Sequence, residues 1–538
     1  MDSDVRFEAK EVFHAGCSKF NLRSKTFTKK EDPFPYGGKG GVPLSWRNED
    51  KTVFVDTTDT HTMIIGATGS KKSRLLVMPM VKILGYAEES MIITDPKAEI
   101  YERTATELIN SGYDIAVVNL RDPQLGNNWN PLKIPYDFYC AGNLDKANEF
   151  ANDIALNLMM SELSHKEAYW DSTAKDLFFG LILLLFRICK ENNWPNAVNI
   201  GNVIMMKRVL FVENEISNYS SYMQQQIGEY IDADEIVKAS LSSTIGNAEN
   251  TRRNILCQFD YHMSTFVLSN TLTQMLSKNT IDFDNIGKKK SAVFLIMPDE
   301  KTTYHKLVSL FVKQSYEYLI YKAQDMEYRT MPVRINYVLD EFSSLPKIKD
   351  FSSMVSAARS RNIRFNLVMQ SKSQLESRYA DEAETIQANC MNWVFLTSRE
   401  LQLLKNISEQ CGIRIGGNKP LISISDLQQF DKEKGEVLVM SQRRKPFKTN
   451  LVDIDEYDGK KFTLPKYPQG LPAHSDDDNI NLKKKILELM EGSRQSFKPD
   501  TNPFETQPNT DIKPADPPMS NASTRPKRNP IFNYDGET

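Results

Sequence analysis

The residues of this 538-residue chain best equipped for chemistry lie in one short run, Ile64–Arg74, IIGATGSKKSR. A short apolar strand enters a glycine-containing turn, two lysines and a serine follow, and a helix begins. The spacing matches a phosphate-binding loop, G-x-x-x-x-G-K-[ST], in which backbone N–H groups and a helix N-terminus cradle an anion. Gly66 takes the first position, Lys72 the seventh and Ser73 the eighth, with Ala67, Thr68, Gly69, Ser70 and Lys71 between them. The pattern assigns Lys72 to the β- and γ-oxygens of ATP and the Ser73 hydroxyl to Mg2+. Its sixth position is normally glycine and here is Lys71. A left-handed backbone there costs a residue with a Cβ roughly 1–2 kcal/mol. A second cation at that point either helps to hold phosphate or displaces Lys72.

Hydrolysis needs an acid at the end of another strand. Arg334–Glu341, RINYVLDE, supplies a mostly apolar run and then Asp340 and Glu341. Asp340 is expected to hold the magnesium shell and Glu341 to polarise the attacking water. Phe365–Ser371, FNLVMQS, ends in Gln370, an amide placed to sense the γ-phosphate at the carboxyl end of a neighbouring strand. Between these strands stand Arg359, Arg361 and Arg364. In a ring of subunits one such arginine, taken here as Arg361, completes a neighbour's site by offsetting transition-state charge. The expected catalytic set is therefore Lys72, Glu341, Gln370 and Arg361, and the metal set is Ser73 and Asp340.

These residues need a scaffold of buried strands. Ser90–Thr94, Ile115–Leu120, Ala292–Met297, Ile335–Leu339, Phe365–Met369, Trp393–Thr397 and Val437–Met440 are short, almost wholly apolar runs, as strands covered on both faces must be. Helical patterns alternate with them, which gives a doubly wound α/β sheet. From about 142 to 285 strand texture disappears and helical patterns take over, among them Leu144–Met160, Lys166–Lys190, Tyr219–Ile231 and Arg252–Leu276. The expected organisation is an N-terminal segment over 1–40, a nucleotide-binding domain in two parts, 41–141 and 286–460, an all-α domain over 142–285, and a tail over 461–538. Eleven of the 25 prolines fall in that last stretch, which predicts a flexible Pro-rich tail, with one short helix at about Ile480–Met490.

Composition narrows the function further. Charged residues at 25% and a net charge of −3 describe a globular chain without a general basic excess, so contact with nucleic acid must use a local patch or pore. The six cysteines are dispersed, without a CxxC pair, which excludes a zinc ribbon and fits a reducing compartment. The apolar run Leu177–Phe186 ends at Arg187 and falls short of the ~20 residues of a spanning helix, so it reads as a buried core helix. His165 and His262 are expected on helix surfaces or in the core.

Taken together, HTMIIGATGSKKSR, IITDPKAEIYERTA, FLIMPDE, NYVLDEFSSLPKI and NLVMQSKSQLESRY resemble the TraG-type coupling proteins of type IV secretion and conjugation, relatives of the FtsK/HerA DNA-pumping ATPases. The likeness runs from about Gly41 to about Asp453 and rests on Asp95, Pro96, Lys97 and Glu99, on VLDEF, and on the run Gln370 to Gln374. It implies a RecA-like P-loop domain interrupted by an all-α domain. It also implies an ATP- and Mg2+-dependent homo-hexamer at the inner face of the cell membrane. That hexamer would move single-stranded DNA with its relaxase, or a secreted protein, into a membrane-embedded channel. Three departures stand out: Lys71; Ala98, where the family carries glycine; and the absence of the usual pair of membrane helices, which points to a trimmed chain or a separate membrane anchor protein. Two alternatives remain beside the coupling ATPase: a HerA/FtsK-like DNA translocase, and a docking platform of the same family with impaired catalysis.

Overall fold

A computed structural model describes residues 17–21, 26–28, 40–160, 168–211, 234–414, 418–441, 444–459, 462–468 and 477–496. Most of the segment expected over 1–40, the helix expected at Tyr219–Ile231, His165 and the tail beyond 496 lie outside these residues. The chain divides into two units, Met1–Ser493 and Arg494–Thr538, and the site lies in the first.

A small antiparallel sheet, ordered β2-β1-β4-β3, is built from β1 (Cys17–Asn21), β2 (Thr26–Thr28), β3 (Val42–Arg47) and β4 (Thr52–Asp56). The main sheet has nine strands: β5 (Thr62–Ile65), β6 (Ser90–Asp95), β7 (Asp114–Asn119), β8 (Ser291–Ile296), β9 (Ile335–Leu339), β10 (Ile363–Met369), β11 (Asn392–Phe395), β12 (Glu436–Ser441) and β13 (Phe447–Asn450). Their order is β13-β12-β11-β5-β10-β9-β6-β8-β7. The seven strands from β11 to β7 pair in parallel, and β12 and β13 add an antiparallel edge. Alternation along each strand feeds two cores. Ile92 and Leu339 join the apolar cluster on one face; Met91, Ile93 and Val338 join that on the other. Strands covered on both faces must be apolar throughout, which is why these runs are visible in the sequence.

Helices α1 (Met78–Tyr86) and α2 (Glu99–Asn110) cover one face. The crossover from β7 to its parallel neighbour β8 carries α3 (Lys133–Cys140), α4 (Leu144–Met159), α5 (Ala168–Asn192), α6 (Ile200–Leu210), α7 (Glu235–Ile245), α8 (Glu249–Leu268) and α9 (Asn270–Met275). Helical structure therefore begins nine residues before the expected 142, at Lys133. In α5 every residue from Leu177 to Phe186 is buried, so the longest apolar run is a helix enclosed on all sides. The buried residues of these helices form one apolar cluster with the second face of the sheet and with α10 (His305–Gln324) and α11 (Phe351–Ala358). The single helix expected over Arg252–Leu276 is two. Ser269 leaves helical space at φ −124°, ψ 96° and its side chain caps α9 by accepting from Leu272 N–H.

Beyond 461 the chain has structure where a tail was expected. Tyr101 Oη donates to Lys466 O at 2.9 Å, and the Arg103 guanidinium lies 4.3 Å from the Phe462 ring centroid. The expected short helix runs from Asp477 to Ser496 and buries Leu482 and Ile486 in the main core.

Candidate functional site at the carboxyl edge of the sheet

Strand β5 sits inside the sheet between β10 and β11, and the turn after it is tied to both: Gly66 N–H donates to Met369 O, and Ala67 N–H to Thr397 O at 2.9 Å. A Cβ on Gly66 would meet Ser70 Oγ at 2.6 Å, so this first position accepts only glycine without movement. Gly69 and Lys71 both take left-handed backbone, φ 76° and 65°. The strain expected at Lys71 is therefore present. Its ammonium turns away from the turn and pairs with Glu433 at 2.5 Å. Lys72 instead folds inward, its Nζ donating to Gly66 O at 2.6 Å. Burial pulls the Lys72 ammonium below its ordinary pKa, against the opposing pull of Asp340 and Glu341.

The helix after the turn does not begin as an α-helix. Pro79 has no N–H to continue the ladder, and Ser73–Val77 makes a π-helical turn, closed by Met78 N–H on Ser73 O, before α1 starts. Arg74 next to it is clamped by Asp453 at 2.5 Å and Asp455 at 2.9 Å, which fixes the root of the helix that carries Ser73.

From β9, two strands away from β5, Asp340 brings Oδ2 to 3.2 Å from Ser73 Oγ. Burial first, then the charge of Glu341, pushes the Asp340 carboxyl up to about 6. Glu341 takes left-handed backbone at φ 54°. Both its carboxylate oxygens accept from Gln370 Nε2, at 2.8 and 2.9 Å, while Gln370 Oε1 accepts from Thr68 Oγ1 at 2.8 Å. Gln370 thus links the turn after β5 to the acid after β9. A cavity of about 350 Å³ opens over these groups, lined by Thr68, Ser73, Asp340, Glu341 and Gln370 and, from the β6 side, by Asp95 and Lys97.

Eight of the expected positions, Gly66 to Ser73, thus form one turn, and Asp340, Glu341 and Gln370 converge on it. Arg361 does not. It precedes β10, whereas Gln370 follows it, so within one chain the two are separated by the strand's length, roughly 20 Å. There its Nη1 donates to Ser360 Oγ. Arg359 pairs with Asp59 at 3.0 Å, and Arg364 is buried inside the molecule. His262 is buried in a hydrogen bond to Asp171 at 2.7 Å, inside the helical region.

Two groups on the cavity were not singled out in the sequence: Asp299, and His305, whose ring nitrogens face Pro298 O at 3.1 Å and Ser344 O at 3.3 Å. Asp299 lies within FLIMPDE, one of the runs that carry the resemblance, whereas His305 has only its position beyond the end of β8; the strand order makes β8 a neighbour of β6.

Comparison with known proteins adds three likenesses of fold. The unbound bacterial conjugative coupling protein TrwBdeltaN70 matches with a TM-score of 0.55 at 15% identity, over 78% of this chain and 90% of that one. The plasmid coupling protein TrwB in complex with the non-hydrolysable ATP analogue ADPNP matches at 0.54 and 16% identity, over 77% and 89%. TrwB in complex with ADP and Mg2+ matches at 0.53 and 15%, over 77% and 89%. A search of the curated proteins found no match. The family model for type IV secretory system conjugative DNA transfer spans residues 10–416, the turn after β5 and the acids after β9 included. With most of its length inside that model, the chain belongs to the type IV secretory system conjugative DNA transfer family.

Proposed function

We propose that the protein is a coupling ATPase that recruits a relaxase–DNA complex or a protein substrate and drives it into a type IV secretion channel. One observation carries this reading: Ser73, Asp340, Glu341 and Gln370, brought by three different strands, line one cavity with Lys72 beside it. Its position at the carboxyl ends of parallel strands is where open α/β sheets bind ligands.

The donor set suits Mg2+. A hydroxyl and a buried carboxylate 3.2 Å apart are hard oxygen ligands, and a Cβ on Gly66 would intrude on the turn beside them. Ser73 and Asp340 would hold the ion, which when bound offsets phosphate charge. Lys72 exchanges its carbonyl partner for phosphate oxygens of ATP. Glu341 accepts the proton of the water that attacks the γ-phosphorus, and Gln370 holds that carboxylate in place while reporting the state of Thr68. In a homo-hexamer, Arg361 would act on the site of the next subunit from the amino edge of the sheet. Among the described residues no helix is long and apolar enough to cross a membrane. At the inner face of the cell membrane the protein would act with membrane-embedded channel components, and with a separate anchor protein where one is present.

One observation favours a second reading, a docking platform with impaired turnover: the strained Lys71, drawn aside to Glu433. ATP hydrolysis measured with and without single-stranded DNA separates the two. The coupling ATPase hydrolyses ATP and is stimulated by the strand; a platform binds nucleotide without turnover in either condition.

A further inference from the structure

The turn after β6, Asp95-Pro96-Lys97-Ala98-Glu99, has no part in the chemistry above, yet the fold spends strain and buried charge on it. Strand β6 pairs with β9, so this turn borders the cavity on the side away from β5. Asp95 is 1% exposed and its Oδ2 accepts from Tyr101 N–H at 2.8 Å, which closes the turn onto the start of α2. Ala98 adopts φ 63°. The Arg121 guanidinium donates to Pro96 O at 3.0 Å and pairs with Asp299 at 2.9 Å, bracing the turn from β7. Thr94 Oγ1 donates to Asp340 O at 2.8 Å, locking the end of β6 to the acid strand. A backbone held by Tyr101, Arg121 and Asp340 presents two exposed side chains to the cavity, Lys97 and Glu99, of which Lys97 alone is cationic. Among the described residues Lys97 has no ion-pair partner, although Asp95, Glu99, Asp299, Asp340 and Glu341 share the cavity wall with it.

We propose that Lys97 is a second phosphate-binding lysine of this site, contacting the terminal phosphate of ATP from the side opposite the turn after β5 and so giving the site its preference for triphosphate over diphosphate. This rests on the nucleotide-site reading above. Three strand spacings, roughly 14 Å, separate β5 from β6. A nucleotide whose β-phosphate lies on the turn after β5 therefore points its outer end toward β6. A triphosphate entering a wall that carries Glu99, Asp340 and Glu341 meets repulsion that Lys72, at the other end, cannot offset alone. A flexible ammonium on a rigid turn supplies the missing charge where only the γ-phosphate reaches it. The charge of Lys97 adds a small part to the lowering of the Lys72 pKa, after burial.

Calorimetric titration of the full chain with Mg2+ and either ADPNP or ADP tests this. The wild-type chain should prefer ADPNP. Lys97→Ala should lose about tenfold or more in ADPNP affinity while ADP affinity stays within about twofold, and Lys97→Arg should recover most of the loss. An unchanged ADPNP-to-ADP ratio in Lys97→Ala, whether neither affinity falls or both fall equally, overturns the assignment alone. A wild-type chain that binds neither nucleotide overturns the site reading and this assignment with it.

Discussion

The two edges of the main sheet are built from similar residues and put them to opposite use. At the amino edge Arg364, Asn336, Glu89, Asp56 and Asn392 are each 5% exposed or less and bond to one another or to backbone: Arg364 Nε to Asn336 Oδ1 at 2.9 Å, Asn336 Nδ2 to Glu89 Oε2 at 2.9 Å, and Asn392 to Asp56. At the carboxyl edge Ser73, Glu341, Gln370 and Lys97 border open space, and three non-glycine residues, Lys71, Ala98 and Glu341, hold positive φ. A polar group serves chemistry only where the fold leaves it unspent capacity. Closed hydrogen bonding marks the amino edge as structural, while polar side chains bordering an acid-lined cavity mark the carboxyl edge as functional; positive φ alone does not separate them, since Glu88 and Asn362 hold it at the amino edge.

This contrast predicts mutational effects of different kinds. Arg364→Ala would leave Glu89 and Asn336 buried without their partner and should cost about 3–5 kcal/mol in a urea titration. Lys72→Ala should change stability by less than about 1 kcal/mol and abolish nucleotide binding. An Arg364→Ala chain as stable as wild type would break the distinction.

Acid should move the two edges in opposite directions. His61, at the amino end of β5, accepts from Phe365 N–H on Nδ1, and its Nε2 lies 2.8 Å from Val355 O. Burial depresses it to about 4. Its stabilisation is present above the ordinary value near 6.5 and is lost as pH falls through 4, a loss on the order of 3 kcal/mol. Burial pushes Asp95 at the carboxyl edge up to about 7 from the ordinary 3.8. Its contribution is fully present below 3.8 and is lost as pH rises through 7, by a similar amount. Denaturation midpoints between pH 7.5 and 4 in Mg2+-free buffer should therefore fall less steeply with acid for His61→Gln than for wild type, and more steeply for Asp95→Asn. Parallel profiles for all three would show that neither group titrates differently on folding.

The smallest effects concern the strained turns. Lys71→Gly and Ala98→Gly should each stabilise the chain by about 1 kcal/mol, since glycine takes positive φ without a Cβ clash. The Lys71–Glu433 pair that the first removes is exposed and contributes little. Calorimetry should also show up to about tenfold tighter ATP binding for Lys71→Gly. A loss of stability in either variant would show that the turn is shaped by its side chain.

Much of this was legible in the sequence, for a physical reason. Strands buried on both faces must be continuously apolar, so β6, β8, β9 and β10 stand out, and the residue types at their carboxyl ends name Asp340, Glu341 and Gln370. The antiparallel strands β3, β4 and β13 do not stand out. In β13 burial alternates, Phe447 and Thr449 inward and Lys448 and Asn450 outward, while β3 and β4 are mostly buried but interrupt their apolar residues with Ser45, Arg47, Thr52 and Asp56. Partners distant in sequence were invisible as well. The counter-charge of Lys71 is 362 residues away, and the partners of Gln370, Thr68 and Glu341, follow from strand order rather than any local pattern. Arg361 was expected to complete the site of a neighbouring subunit, and in its own chain the direction of β10 puts it at the other edge of the sheet.

Single-turnover hydrolysis of ATP with Mg2+ by the wild-type chain, Glu341→Gln and Lys72→Ala addresses the central claim most directly. Wild type should cleave ATP, and Glu341→Gln should bind it with near-normal affinity while cleaving it at least about 100-fold more slowly, because the water loses its proton acceptor. Lys72→Ala should fail to bind. Cleavage by Glu341→Gln at the wild-type rate, or ATP binding undiminished by Lys72→Ala, would contradict the account.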